Sequence, residues 1–138
     1  MPSLAAEAWL NMFPARLRGT LLGVAPEARR LWQEVRVRGG QPIQVLHAAG
    51  EMLLSIYSPA ASGAVVTDED LQATFQLMAQ HSVYAIEEEL RRGFITLPGG
   101  HRLGFTGHAV LENGRIRLLR QISSLNLQIG RASCRERV

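Results

Sequence analysis

GFITLPGGHRLGFTGHAV, residues 93–110, is rich in glycine and carries two of the chain's four histidines. Glycines beside basic and imidazole side chains can cradle a phosphate. They can equally be the turn and bulges of paired strands. The order of residues favours strands. FITL precedes the turn sequence Pro98-Gly99-Gly100, and HRLGFTGHAVLE follows it. There Leu103, Phe105, Ala109 and Leu111 keep the two-residue period of one strand face, with Arg102, Thr106 and His108 on the other. Gly99 and Gly100 read as turn residues. Gly104 and Gly107 read as strand-interior glycines, where a bulge or a close backbone approach is expected. A phosphate-binding glycine loop would hand over to a helix, and no helical period follows here. Asn113-Gly114 is a two-residue hairpin signal, after which RIRLLRQISSLNLQ returns beside the previous strand. The stretch reads as a β-meander.

Two helices are expected before it. Thr67 is an N-cap for TDEDLQATFQLMAQHS, with Asp70 in a capping-box-like place and Leu71, Phe75 and Met78 as the buried stripe. Asp68, Glu69 and Asp70 suit the positive end of that helix better than they suit general acid–base work. VYAIEEELRRG predicts a second helix that buries Val83, Ile86 and Leu90 and stops at Gly93. Its Glu87, Glu88, Arg91 and Arg92 stand at i,i+4 spacing on a solvated face.

Further upstream, residues 3–32 read as helical. Leu17, Leu21, Leu22 and Val24 are spaced along one helix behind Pro14; Gly23 ends it, and Pro26 starts a short one. EVRVRGGQPIQVL then alternates Val35 and Val37 with Arg36 and Arg38, turns at Gly39-Gly40 and resumes at Ile43 and Val45: a hairpin. EMLLSIY offers another strand, and SPAASGA a loop. The fold class expected is α+β: N-terminal helices, an antiparallel sheet built from hairpins, and two central helices packed on it.

The chain has 138 residues, 46% of them hydrophobic and 20% charged, the composition of one soluble globular domain. No apolar run reaches a membrane span, and the N-terminus lacks the basic segment of a signal peptide, so a cytoplasmic protein is expected. All 15 basic residues are arginine. A G-x-x-x-x-G-K-[ST] phosphate loop needs lysine, so this chain contains none.

IGRASCRERV, residues 129–138, departs from everything before it and holds the only cysteine. The codons ATC GGA AGA GCG TCG TGT AGG GAA AGA GTG encode it, and that string matches a common sequencing-library adapter. The expected organisation is therefore a non-catalytic N-terminal domain over 1–128, followed by read-through that is not native. Gln128 is suspect too, since the adapter's preceding bases complete its codon. Without that tail the formal charge falls from +3 to 12 basic against 11 acidic residues. The compositional case for nucleic-acid binding goes with it. Cysteine chemistry is removed as well.

His47, His81, His101 and His108 have neither cysteine nor an acidic cluster beside them, and read as turn and surface histidines rather than metal ligands. No metal site and no catalytic residue is expected. Arg102, Arg115 and Arg117 belong to one exposed sheet face, while Arg120 has the opposite parity. An arginine fork suits carboxylate or phosphate, although charged strands also simply face water. The alternative is a nucleic-acid-binding module on this arginine-bearing face. Against it stand the near-neutral body and the lack of a stacking aromatic at Arg102, Arg115 or Arg117.

HSVYAIEEELRRGFITLPGGHRLGFTGHAVLENGRIRLLRQISSLNLQ, above all YAIEEELRRGFITLPGGHR and ISSLN, resembles the N-terminal domain of the stage III sporulation AA family, secretion-type ATPases of endospore-forming bacteria. FPARLRGTLLG and EVRVRGGQPIQV fit as well, so the resemblance covers about residues 10–127. It implies a P-loop domain, with ATP and Mg, downstream of residue 128. It also implies a homo-oligomeric ring on the mother-cell side of the forespore membrane and channel proteins as partners, with no nucleic acid. By analogy with related secretion ATPases, Arg102, Arg117 and Arg120 are candidate contacts to nucleotide or to a neighbouring subunit. After ISSLN the chain departs from the family's basic strand.

Overall fold

The structure, a computed structural model, describes residues 7–54, 56, 65–112 and 115–130, without the side chains of 109–120. A 3-10 turn over Ala8–Met12 leads into helices α1 (Ala15–Leu22) and α2 (Pro26–Arg29). Strands β1 (Trp32–Arg38), β2 (Ile43–His47) and β3 (Gly50–Leu54) follow. Helices α3 (Asp68–Gln80) and α4 (Ile86–Arg92) come next, then β4 (Phe94–Leu97), β5 (His101–Glu112) and β6 (Arg115–Gln128). The expected α+β class is what forms. The loop 58–64, the turn Asn113-Gly114 and the tail 131–138 lie outside the described residues.

Each three-strand run is an antiparallel meander, and the two runs meet where β6 pairs antiparallel with β1. The sheet order is therefore β3-β2-β1-β6-β5-β4. One file of residues crosses all six strands: Met52, Val45, Val35, Leu127, Leu103 and Ile95 are successive cross-strand partners. All except the half-buried Met52 are buried, and this face carries the core. Because side chains alternate along a strand, the intervening residues form a second face without helices on it among the described residues.

β1 carries an irregularity that periodicity does not announce. The pairing shifts between Trp32 and Glu34, so Gln33 is an extra residue. A bulge reverses the alternation, and Trp32 turns inward although it shares parity with the open-face Glu34 and Arg36. There it packs on Trp9, which also meets Phe13 edge-on at 6.2 Å. A second irregularity lies in β5–β6 between Thr106 and His108, opposite Gln121–Ser123. Gln121 sits at φ 55 there, left-handed without being glycine. Gly104, expected at a bulge, pairs regularly with Asn126; the irregularity falls at Gly107.

α3 matches its sequence signal. The Thr67 hydroxyl accepts from the Asp70 amide, and the Asp70 carboxylate accepts from the Thr67 amide at 2.8 Å, a reciprocal box. Arg16 of α1 also bonds Asp70 and reaches the Val65 carbonyl at 3.1 Å, tying α1 to the start of α3.

Three expectations need correcting. The region expected to be helical throughout is three short pieces: Pro14 caps α1, Ala25-Pro26 restarts the chain, and Trp32 is already strand. Leu22 lies on the exposed side of α1. Val83 is not on a buried helical stripe, because α4 begins at Ile86 and Val83 is exposed. Its amide instead bonds the Thr96 carbonyl on the outer edge of β4.

Candidate functional site

The open face of the sheet is where groups remain available for recognition. Its central file is Leu53, Gln44, Arg36, Asn126, Gly104 and Phe94, again successive partners across six strands. Three pairs of polar side chains on this face satisfy one another. Arg36 pairs with Glu34, Gln44 donates to Glu51 at 2.7 Å, and the Ser124 hydroxyl donates to Thr106 at 3.1 Å. Arg38 and Arg102 are exposed, and neither pairs with a carboxylate among the described residues.

Arg102 lies with its guanidinium 4.4 Å from the centroid of the Phe94 ring. The sequence reading found no aromatic for Arg102. Strand pairing supplies one, because Arg102 pairs with Thr96 and so stands diagonal to Phe94. The contact spreads the Arg102 side chain over apolar surface and leaves its N–H groups in water. Asn126, at the centre of the face, has its side-chain oxygen buried without a hydrogen-bond partner.

The three arginines singled out for contacts do not gather at one point. Arg102 pairs with Gln128 in the body of the sheet. Arg120 stands opposite His108, and Arg117 lies beyond it toward the hairpin end, between the partners of Val110 and Leu111. Strand rise places Arg102 and Arg117 roughly 30 Å apart along the ribbon. The side chains of Arg115, Arg117 and Arg120 lie outside the described residues.

The histidines disperse as well. His47 accepts from the Ala49 amide and His81 bonds the Leu77 carbonyl at the end of α3. His108 is exposed on β5. His101 is a correction: it is 3% exposed rather than a surface residue, with Nδ1 accepting from the Gly130 amide at 2.8 Å. Among the described residues no three His, Cys, Asp or Glu side chains come close enough to hold a metal ion.

The glycines of the opening stretch form a turn rather than a phosphate loop. Gly99 and Gly100, at φ 95 and 81, form a turn that opens β5, so no helix N-terminus meets the glycines. A shallow cleft of about 440 Å³ is lined by Gly39, Asp68, Gln72, Gln121, Ile122 and Ser123, without a basic side chain to hold phosphate. No helix among the described residues is long and apolar enough to cross a membrane.

Sequence reasoning missed Glu89, which is 1% exposed and accepts the Thr96 amide at 2.7 Å. The surrounding run of charge hid it. Its one signal was the helical spacing to Ile86 and Leu90, which frame the same packed side.

The architecture is an antiparallel sheet covered by helices on one side and polar on the other. The family model for sporulation stage III, protein AA, matches residues 5–138, and the chain belongs to that family. Stage III sporulation protein AA of Bacillus subtilis (strain 168) is 30% identical over 121 residues, covering 88% of this chain and 37% of the relative. The chain thus spans little more than a third of that relative's length. A role in sporulation follows from the family.

Proposed function

We propose that this chain is the N-terminal assembly and coupling domain of a sporulation-specific ATPase that powers a mother-cell-to-forespore channel. The observation that carries the reading is the pairing of family membership with 37% coverage of the relative. A longer protein has room for a P-loop domain, and a chain without lysine has no phosphate loop of its own. ATP and Mg belong to that downstream domain in this reading, and the sheet transmits its movement. Residues 129–138 are read-through in the same proposal, and the partners are further copies in a ring and membrane channel proteins.

The test begins with the source DNA across codon 128. A frame that runs on into G-x-x-x-x-G-K-[ST] agrees with the reading. A genomic frame that itself encodes IGRASCRERV and stops removes it. The full-length protein is then compared with one lacking residues 1–128. Loss of assembly with residual hydrolysis is the expected result; normal assembly and hydrolysis without these residues would sink the proposal.

A further inference from the structure

Of the four histidines only His101 is buried, and its ring meets the point where the chain leaves the sheet. It opens β5, and its Nδ1 accepts the Gly130 amide at 2.8 Å. One residue earlier the Ile129 amide donates to the Gln33 carbonyl of β1 at 2.9 Å. Ile129 is itself buried, so the two residues after β6 are held between β1 and the β4–β5 turn. The joint is closed to side chains. A Cβ at Gly99 would stand 2.9 Å from His101 Nε2, and one at Gly130 would collide with the Gly100 carbonyl.

A backbone amide only donates, so Nδ1 offers its lone pair and the neutral ring carries its proton on Nε2. Protonation at Nδ1 sets two N–H groups against each other and places a charge where water is excluded. The charged groups of the surrounding elements are placed elsewhere. β4 has none. Arg102, next on β5, lies over Phe94 on the open face, where Glu34 and Arg36 pair as well. Glu89 of α4 bonds the Thr96 amide on the outer edge of β4, the edge turned away from β5. Glu88, Arg91 and Arg92 of the same helix are exposed, and Glu87 is half-buried. Asp68, Glu69 and Asp70 begin α3 at the opposite end of the sheet, beside Gly39 and Ser123. Arg29, three residues before β1, pairs with Glu7.

We propose that His101 is a pH-sensitive pin on the segment that follows β6. The neutral ring holds Ile129 and Gly130 to the end of the sheet, and the protonated ring releases them. The released segment binds the proton more readily than the pinned one. The pin is therefore complete above the ordinary histidine range, about pH 6.5, and weakens as pH falls below it. Pinned, the chain leaves the sheet at a fixed point; released, it gains a short flexible tether. The contact belongs to this 138-residue chain, so the inference stands apart from the ATPase reading and from the origin of residues 129–138.

The measurement is NMR of the isotope-labelled 138-residue chain from about pH 8 to about pH 5. At the upper end the His101 ring nitrogens should report the Nε2–H tautomer, with the Gly130 and Ile129 amides protected from hydrogen exchange. Below the His101 midpoint their protection factors fall by roughly tenfold per pH unit. The Val83 amide, bonded to the Thr96 carbonyl, keeps its protection and shows that the domain stays folded. His101→Gln retains an acceptor and cannot titrate, so Gly130 stays protected throughout. His101→Phe leaves Gly130 open at every pH. The wild-type titration decides alone if a variant does not fold.

His101 titrating without loss of protection at Gly130 overturns the proposal, as does a ring that stays neutral over the whole range. An Nδ1–H tautomer does the same, and so does a pH dependence that survives in His101→Gln. Gly130 and Val83 opening together would mean global acid unfolding instead of a local pin. None of these readouts involves hydrolysis, so the ATPase reading is untouched by either result.

Discussion

The carboxylate of Glu89 on α4 closes the outer edge of β4: its Oε1 accepts the amide of Thr96 at 2.7 Å. The Thr96 carbonyl on that edge is taken by the Val83 amide at 2.9 Å. A four-residue edge strand is thereby sealed against pairing with another chain by one side chain and one loop amide. Removing the carboxylate leaves a part-buried amide without its acceptor. Glu89→Ala is expected to cost about 2–4 kcal/mol in urea unfolding, and Glu89→Gln, which keeps the acceptor oxygen, about 1 kcal/mol. Equal losses in the two variants would mean that the hydrogen bond is not what Glu89 supplies.

The start of α3 is expected to behave as one coupled unit. Thr67→Ala removes one half of the capping box and costs about 1 kcal/mol. Asp70→Ala removes the other half and the partner of Arg16, so it costs about 2–3 kcal/mol. A double-mutant cycle between Arg16 and Asp70 should return a coupling of about 1 kcal/mol; a value near zero would show the pair to be incidental.

Gln121 holds φ 55, where a side chain is crowded and glycine is not. Gln121→Gly is expected to stabilise the domain by about 0.5–1 kcal/mol, and Gln121→Val to destabilise it by about 1–2 kcal/mol. The melting temperatures of the two variants should move in opposite directions.

Deleting Gln33 joins Trp32 directly to Glu34 and removes the bulge, and regular alternation then keeps Trp32 on the core face opposite His47. The variant is expected to fold with a loss of about 1–2 kcal/mol in urea unfolding. Tryptophan emission should not shift, because Trp32 stays packed on Trp9. A red-shifted spectrum in a folded variant would show that the indole leaves the core.

Much of this architecture is written locally. Gly40, Gly99 and Gly100 turn the hairpins at positive φ, which suits glycine, and alternation assigns Val35, Val37 and Leu103 to the core face. Thr67 and Asp70 start α3 through bonds within one turn. The exposure of Arg102 was equally legible from parity, whereas its seat on Phe94 was not, since the ring arrives from a neighbouring strand.

What the sequence by itself determined is therefore what lies within a few residues: turns, caps, strand faces and the lack of a nucleotide loop. Tertiary structure alone decided the β1–β6 seam, because no local signal selects which hairpin strand pairs with which. It also decided the inward Trp32, since a bulge is fixed by the register of two strands at once. The burial of Glu89 and His101 has the same origin. A polar side chain is tolerated inside only where a distant backbone amide, Thr96 or Gly130, comes to meet it.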